Sequence, residues 1–253
     1  MKSEYYFCNS KNFFNLRICF LSLFLFVSSV VIFCIKLLPV KKITCEVVNS
    51  SKDCSYYIPE ILDHYKNSKF YSFYKNMYLE LKKEVIIKDF AIYLDLINFG
   101  WIVKIIPRKI CCAIAKDQAG PFLIVSQDGY VISRKFENLN LPLIFVETEL
   151  PEKGALLDEK TMFALSILKD MHFIYGVNFG VLNKDRLVIE LDAKKRVLFP
   201  LKGEKDLLIG GIMYVLNRLE NRYVITKQEI SFLDSGIEID MRFTNPVLRQ
   251  LTN

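Results

Sequence analysis

The side chains that most often carry enzymatic chemistry are few and scattered in this chain. His64 and His172 are its two histidines, and each lies in a predicted helical segment without a neighbouring serine or cysteine nucleophile motif. The sequence contains no HExxH, GxSxG, GxGxxG or Walker A pattern. Its Asp and Glu residues do not single out an acid–base pair. The chain is therefore predicted to be a non-enzyme without catalytic residues, cofactor or small-molecule substrate.

Cysteines offer metal or disulfide chemistry, but their spacing is not typical of a metal site. There is no C-x-x-C pair and no Cys/His spacing of a zinc centre, so no metal is predicted. Cys45, Cys54, Cys111 and Cys112 are expected to be small buried hydrophobic residues. A Cys45–Cys54 or a Cys45–Cys111 disulfide is the alternative. Adjacent residues of a strand point to opposite faces, so Cys111 and Cys112 are poorly placed to pair with each other.

The most regular pattern lies near the C terminus and favours protein binding. Apolar and charged residues alternate strictly from Ile237 to Phe243, which predicts a strand of an antiparallel sheet with one buried face. The strand continues to Asn245 and stops at Pro246, which has no N–H to donate. An edge strand displays unpaired N–H and C=O groups to which a partner segment can add. The predicted partner-binding residues are Ile237, Ile239, Asp240, Met241, Arg242, Phe243, Thr244 and Asn245.

The first of two predicted modules covers residues 42–116 and has the order β-α-α-β-β. Within it, apolar residues recur at spacings of four, three and four from Ile86 to Ile97, which predicts one face of a helix. Pro107-Arg108 divides two β-branched runs, which are read as two strands. The predicted elements are a strand at Ile43–Val48, helices at Tyr57–Tyr65 and Met77–Ile97, and strands at Trp101–Ile106 and Lys109–Ala115.

The second module covers residues 117–253 and is predicted to be a mixed α/β domain with an antiparallel sheet. Gln127-Asp128-Gly129 indicates a hairpin over residues 122–133. Asp158 and Glu159 suit a helix N-terminus because they can cap it and oppose its dipole. Helices are predicted at 159–173 and 205–220, strands at Val177–Leu182, Leu187–Leu191 and Arg196–Phe199, and a terminal strand at 237–245. The predicted fold class is α+β.

An apolar run near the N terminus predicts contact with a lipid bilayer. Eighteen uncharged residues from Ile18 to Ile35 are long enough as a helix to span about 30 Å of hydrocarbon. We expect one transmembrane helix over residues 17–38, preceded by a short tail over 1–16. A buried core helix rarely runs this far without a charge. A cleaved signal peptide is the stronger alternative, but the run is too long and no small-x-small site follows it.

Charge argues against nucleic-acid binding. The 253 residues carry 34 basic and 28 acidic side chains, and their length suits one large domain or two small ones. Lys2, Lys11, Arg17 and Lys36 flank the apolar run together with Glu4, which leaves 30 basic against 27 acidic side chains in the rest of the chain. A nucleic-acid surface needs a concentrated basic face, which this balance does not provide. Charges on both sides of the run leave its orientation ambiguous.

Five short segments, in this order, resemble those of the FtsQ/DivIB family of bacterial cell division proteins. Each motif alone is weak, but their order and spacing behind an apolar run are more specific. The first is the strand that follows the run, Ile43–Val48. Trp101–Ile110 resembles the family's W-V-x-x-V-x-V strand pair, and Val125–Val131 resembles its V-D-x-x-G-x-V hairpin. Leu141–Ile144 resembles its L-P-x-L entry to the β domain, and Ile239–Phe243 its I-D-L-R-aromatic strand.

The resemblance implies a division scaffold at the septum. It implies a cytoplasmic tail, one helix in the inner membrane, a POTRA domain over residues 42–116 and a β domain over 117–253, both outside the cytoplasm. Partners resembling FtsB and FtsL would bind the terminal strand, where Arg242 would pair with a partner carboxylate and Phe243 would anchor apolar contact. A solvated Arg242 and a core Phe243 are the alternatives. The alternative functions are another POTRA-bearing envelope transport or assembly component, and a membrane-anchored envelope enzyme.

Overall fold

A computed structural model shows an α+β fold that divides into two compact units. The first unit ends at Pro107 and the second begins at Arg108. The sequence predicts a later boundary, between residues 116 and 117. The boundary in the structure is earlier because the strand at Ile110–Ala115 pairs within the sheet of the second unit. The described residues are 21–30, 42–58, 65, 69–95, 97–98, 100–136, 140–192, 194–222 and 236–251.

The transmembrane helix predicted over residues 17–38 is wrong. In the ranges that the structure describes, no helix is long and apolar enough to cross a membrane. Within the predicted span the structure describes residues 21–30, which are helical (α1). The tail over 1–16 and the remaining residues of the span, 17–20 and 31–38, lie outside the described residues.

The first unit covers a three-stranded sheet with helices. Strand β3 is central, parallel to β1 and antiparallel to β2. Phe73, Met77 and Leu81 recur every four residues on the long helix and are fully buried against Val103 and Ile105. The elements are β1 (Lys42–Val47), α2 (Cys54–Tyr57), α3 (Phe70–Lys83), β2 (Ile87–Asp95) and β3 (Gly100–Pro107). A Cys45–Cys54 disulfide links β1 to α2, which is one of the two alternatives considered for these cysteines.

The helix predicted over Met77–Ile97 is replaced by a helix and a strand. Helix α3 ends at Lys83, and Ile87–Asp95 forms β2. The apolar spacing fits a helix, but Phe90 and Ile92 of β2 are two residues apart and lie on one face of the strand. Tyr93 and Ile97 of the predicted helix face are 51% and 90% exposed. The β-branched residues of β2 favour the strand, and Ile86, Phe90 and Ile92 contact the core of the first unit.

The second unit is built on one nine-stranded sheet, which is mixed where an antiparallel sheet was predicted. Strand β7 runs parallel to β4 and β8, and β10 runs parallel to β11. The order across the sheet is β12-β11-β10-β9-β8-β7-β4-β5-β6. Its strands are β4 (Ile110–Ala115), β5 (Phe122–Ser126), β6 (Val131–Lys135), β7 (Leu143–Val146), β8 (Phe179–Leu182), β9 (Arg186–Asp192), β10 (Lys195–Pro200), β11 (Ile237–Asp240) and β12 (Val247–Gln250).

Two helices bury one face of this sheet. Helix α4 (Glu159–Tyr175) begins where Asp158 caps it, because the Asp158 carboxylate accepts a hydrogen bond from the Thr161 N–H at 2.9 Å. Helix α5 (Lys205–Arg222) packs close to the end of β11: a Cβ at Gly211 would lie 2.9 Å from Cε of Met241. Leu165, Ile212 and Ile239 belong to the single core cluster that the helices and the sheet enclose.

Strand β4 departs from regular pairing at its two cysteines. Ile110 lies opposite Ser126 and Cys112 lies opposite Val125, so Cys111 is an extra residue in β4. Such a bulge interrupts the alternation of side chains. Both cysteines consequently contact the core beneath the helices, and the expectation that they point to opposite faces is wrong.

Candidate partner-binding edge

The residues predicted to bind a partner do not form one continuous strand. Ile237, Ile239 and Asp240 lie in β11, which has β10 on one side and β12 on the other. The first two are buried in the core, and Met241 is buried where the strand ends. Arg242 is partly buried, and the rest of the predicted set is exposed in the turn that follows: Phe243, Thr244 and Asn245. The terminal strand predicted over 237–245 is thus the first strand and the turn of a hairpin.

Asp240 ends β11 by holding the turn. Its Oδ1 accepts hydrogen bonds from the Arg242 backbone N–H at 3.1 Å and from Nε at 2.9 Å. Its Oδ2 accepts one from an Arg242 terminal nitrogen at 2.8 Å. A carboxylate that receives a backbone N–H two residues later stabilises a turn. Asp240 and Arg242, which were read as the solvent-facing charges of a longer strand, therefore pair with each other in the turn.

The ion pair extends to three other charged residues. Arg242 also donates to Asp185 at 3.1 Å, and Arg249 of β12 lies 3.4 Å from the Asp240 carboxylate. Arg249 is 3.9 Å from Glu238. The hydrogen bonds from Arg242 lower the pKa of Asp240, although burial acts in the opposite direction, and the same pair raises the pKa of Arg242. The Arg242 guanidinium is therefore engaged within the chain, and the cluster fixes β12 against β11.

Strand β12 lies at the end of the sheet and directs backbone groups outward. The Leu251 N–H donates to the Gly236 carbonyl at 3.0 Å, which makes these two residues a hydrogen-bonded pair. Pairs alternate along an antiparallel ladder, so Leu248, which lies opposite Ile239, is a non-hydrogen-bonded position. Its N–H and C=O point away from β11. No strand pairs with that side of β12 in the described part of the chain.

The side chains around this edge are accessible and largely apolar. All four residues of β12 are exposed; Val247 is 37% and Leu248 42% exposed. Phe243 of the turn is 51% exposed, so it is a surface residue and not part of the core. We call β12 and Phe243 the C-terminal edge. Sequence reasoning missed β12 because it treated Pro246 as an end; the Asn245-Pro246 turn signal followed by Val247-Leu248 indicates a hairpin.

A separate cleft of about 650 Å³ opens in the second unit. Its size is typical of small-molecule sites. His172 lines it, and the Nδ1 of its ring lies within hydrogen-bond distance, 2.9 Å, of the Val177 carbonyl. The other lining residues are uncharged and include Phe122, Phe145, Phe179, Gln118, Asn140 and Asn178. Its described lining offers apolar contact and hydrogen bonds to uncharged groups, and no serine, cysteine or carboxylate is found among those described lining residues.

Of the two histidines considered for catalysis, His64 lies outside the described residues. Within those residues, no group of three His, Cys, Asp or Glu side chains could hold a metal ion. No protein-family model and no curated protein matches the chain.

Proposed function

We propose that the protein is a scaffold that binds a partner segment by strand addition at the C-terminal edge. The observation that carries the proposal is the outward N–H and C=O of Leu248 on a terminal strand with exposed apolar side chains. Added strands gain affinity from main-chain hydrogen bonds and specificity from alternate side chains. Val247 and Leu248 would provide apolar contact on opposite faces of β12, and Phe243 would add contact at the turn.

The partner that we propose is a division protein resembling FtsB or FtsL, in a complex that assembles the septum. Its support is the order of sequence motifs that resembles the FtsQ/DivIB family, together with the position of the exposed edge beside one of those motifs, Ile239–Phe243. The edge itself lies further along the chain than the motif, in Val247–Gln250. In this proposal the motif builds the turn, and β12 receives the partner.

We also propose that both units lie outside the cytoplasm. The Cys45–Cys54 disulfide supports this location, because disulfides persist in oxidising compartments and are rare in the cytosol. Trapping the thiols with an alkylating agent in intact cells, before lysis, gives a direct test. The peptide pair that contains Cys45 and Cys54 should be recovered linked. Recovery of both cysteines alkylated in rapidly growing cells would contradict the location.

The binding surface is tested by placing a benzophenone amino acid at Leu248 in the full chain, in its native host. Light should link it to a partner that mass spectrometry identifies. The matched control carries the same group at Lys135, an exposed residue of β6 at the opposite end of the sheet, and should give no such product. A partner of the FtsB or FtsL kind supports both proposals, and any other protein supports strand addition but not the division role. No product at Leu248 would rule out this edge.

The strand-addition mechanism is tested by Leu248→Pro. Proline removes the outward N–H while the hydrogen bonds between β12 and β11 come from neighbouring residues. We expect recovery of the cross-linked partner by co-purification to fall about tenfold, the equivalent of one hydrogen bond. Leu248→Ala keeps the N–H and should lose less. Arg134→Pro, which removes an outward N–H from β6 at the other end of the sheet, should lose nothing. Equal losses for Leu248→Pro and Leu248→Ala would mean that the side chain, not the backbone, binds the partner.

A further inference from the structure

Cys111 and Cys112 form a pair of neighbouring thiols that the bulge in β4 turns to the same side. Both contact the core beneath the helices, where regular alternation would have separated them. Each thiol is the group that most affects the pKa of the other. Cys111 also donates its S–H to the Val125 carbonyl at 3.5 Å. Neither thiol is in a disulfide.

The two thiols differ in exposure and in acidity. Cys111 is partly exposed, while Cys112 is 1% exposed. The hydrogen bond from Cys112 lowers the pKa of Cys111, and the Lys169 ammonium acts in the same direction. The hydrogen bond to Cys111, followed by burial, raises the pKa of Cys112. Cys111 is therefore the thiol that can meet an external reagent, and Cys112 is positioned to react second.

We propose that Cys111 and Cys112 are a redox modification site, which a disulfide-bearing oxidant converts to a vicinal disulfide. The oxidant class is a low-molecular-weight disulfide or the disulfide of a thiol oxidoreductase. The proposal is independent of the strand-addition function, because β4 is distant from β12 in the strand order of the sheet.

The reaction proceeds in two exchange steps. The Cys111 thiolate attacks one sulfur of the oxidant, forms a mixed disulfide and releases one thiolate. Cys112 then attacks the Cys111 Sγ and expels the second thiolate, so that the Cys111–Cys112 bond forms. The protons of the two cysteines end on the two released thiols. The pair loses two electrons and the oxidant disulfide gains two.

Oxidation would change the pairing of β4 with β5. The S–H of Cys111 no longer exists in the disulfide, so the Val125 carbonyl loses that donor. The new bond also closes a ring through the peptide that joins the two cysteines, which restricts the bulge. The Cys45–Cys54 disulfide differs from this pair, because its cysteines lie on different elements and link β1 to α2.

The test uses the full chain, equilibrated with glutathione disulfide and glutathione, quenched and alkylated. Trypsin cleaves after Lys109 and Lys116, so one peptide, Ile110–Lys116, contains both cysteines and no other. We expect this peptide to lose both alkylation sites together, without retaining glutathione, and to recover them on reduction. The folded chain should reach half oxidation at about tenfold less glutathione disulfide than the chain unfolded in urea, because the bulge pre-positions the thiols. Equal requirements in the two states would overturn the role of the bulge.

Two variants separate the roles of the thiols. Cys112→Ala should stop at a stable glutathione adduct on Cys111. Cys111→Ala should react at least tenfold more slowly than the parent chain, because the remaining thiol is buried. Wild-type peptide with two glutathione adducts, a stable single adduct, or no modification would each overturn the proposal.

Discussion

The two ends of the nine-stranded sheet are built differently. At the β6 end, a loop covers the start of the strand: the Val131 N–H donates to the Ala155 carbonyl at 3.0 Å, and the Gly154 N–H donates to the Val131 carbonyl at 2.8 Å. Beyond this cover β6 ends in the charged residues Arg134 and Lys135. Covering loops and charges are the usual protection of sheet edges against unwanted pairing.

At the β12 end, no described segment covers the strand, and its outward position is occupied by Leu248. The basic residues at this end are paired within the chain: Arg249 and Arg242 both lie near the Asp240 carboxylate. A sheet that protects one edge and presents the other has a surface suited to one added strand. This contrast is the physical basis for placing the partner at β12.

Of the changes considered, Asp240→Ala should most alter the difference between the two ends of the sheet, because it removes the carboxylate at the centre of the ion cluster. The Asp240 side chain is fully buried, and its loss leaves Arg242 and Arg249 without their shared carboxylate. The two arginines are partly exposed and can be hydrated, so the loss should be about 2 kcal/mol of unfolding free energy, less than for a fully buried pair. Urea unfolding followed by circular dichroism should show this loss, and β12 should lose amide protection.

Two controls accompany Asp240→Ala. Asp185→Ala removes an exposed partner of Arg242 and should cost about 0.5 kcal/mol or less. The single tryptophan, Trp101, lies in β3 of the first unit, so the urea midpoint of its fluorescence should be the same in the parent and the variant. A loss as small as that of Asp185→Ala would mean that the cluster does not hold β12.

Acid should weaken the β12 end more than the β6 end, because main-chain hydrogen bonds cover the start of β6. The pKa of Asp240 is lower in the folded chain than the unfolded value of about 3.9, owing to hydrogen bonds from Arg242. Its stabilising contribution is therefore present above that value and is lost as the pH falls through the folded pKa. The difference in unfolding free energy between the parent and Asp240→Asn should shrink below about pH 4. A difference that stays constant to pH 2.5 would exclude this linkage.

The helix and strand positions that depend on nearby residues could be predicted from the sequence. Asp158 marks the start of α4 because its cap bond reaches only three residues ahead. The transition near Lys83 could not be placed in the same way, because the apolar spacing from Ile86 to Ile97 fits a helix although Ile87–Asp95 form a strand. What decides between them is the contact of Phe90 and Ile92 with the core of the first unit.

The candidate site depended on distant contacts and was only partly predictable. The alternation around Ile239 correctly indicates burial of that residue, but Asp240 has the charge of a solvent-facing residue and is fully buried. Its partners Asp185 and Arg249 are brought near by sheet pairing, which no local pattern records. No local pattern shows which strand forms the edge either. Whether β11 or β12 is terminal depends on the hairpin after Asp240 and on the parallel pairing of β11 with β10.

The smallest predicted effect comes from a substitution that loosens the loop covering β6. Gly154 has φ of +90°, a conformation that costs an L-residue about 1 kcal/mol, so Gly154→Ala should loosen the loop over Val131. Gly203 also has a positive φ, +125°, and open space around it, so Gly203→Ala is a control for backbone strain outside this loop. Both variants should lose about 1 kcal/mol of unfolding free energy, but only Gly154→Ala should raise amide exchange at Val131 and self-association in sedimentation. If both variants behaved alike, the loop would be a neighbour of β6 and not its protection, and the difference between the two ends would rest on Arg134 and Lys135 alone.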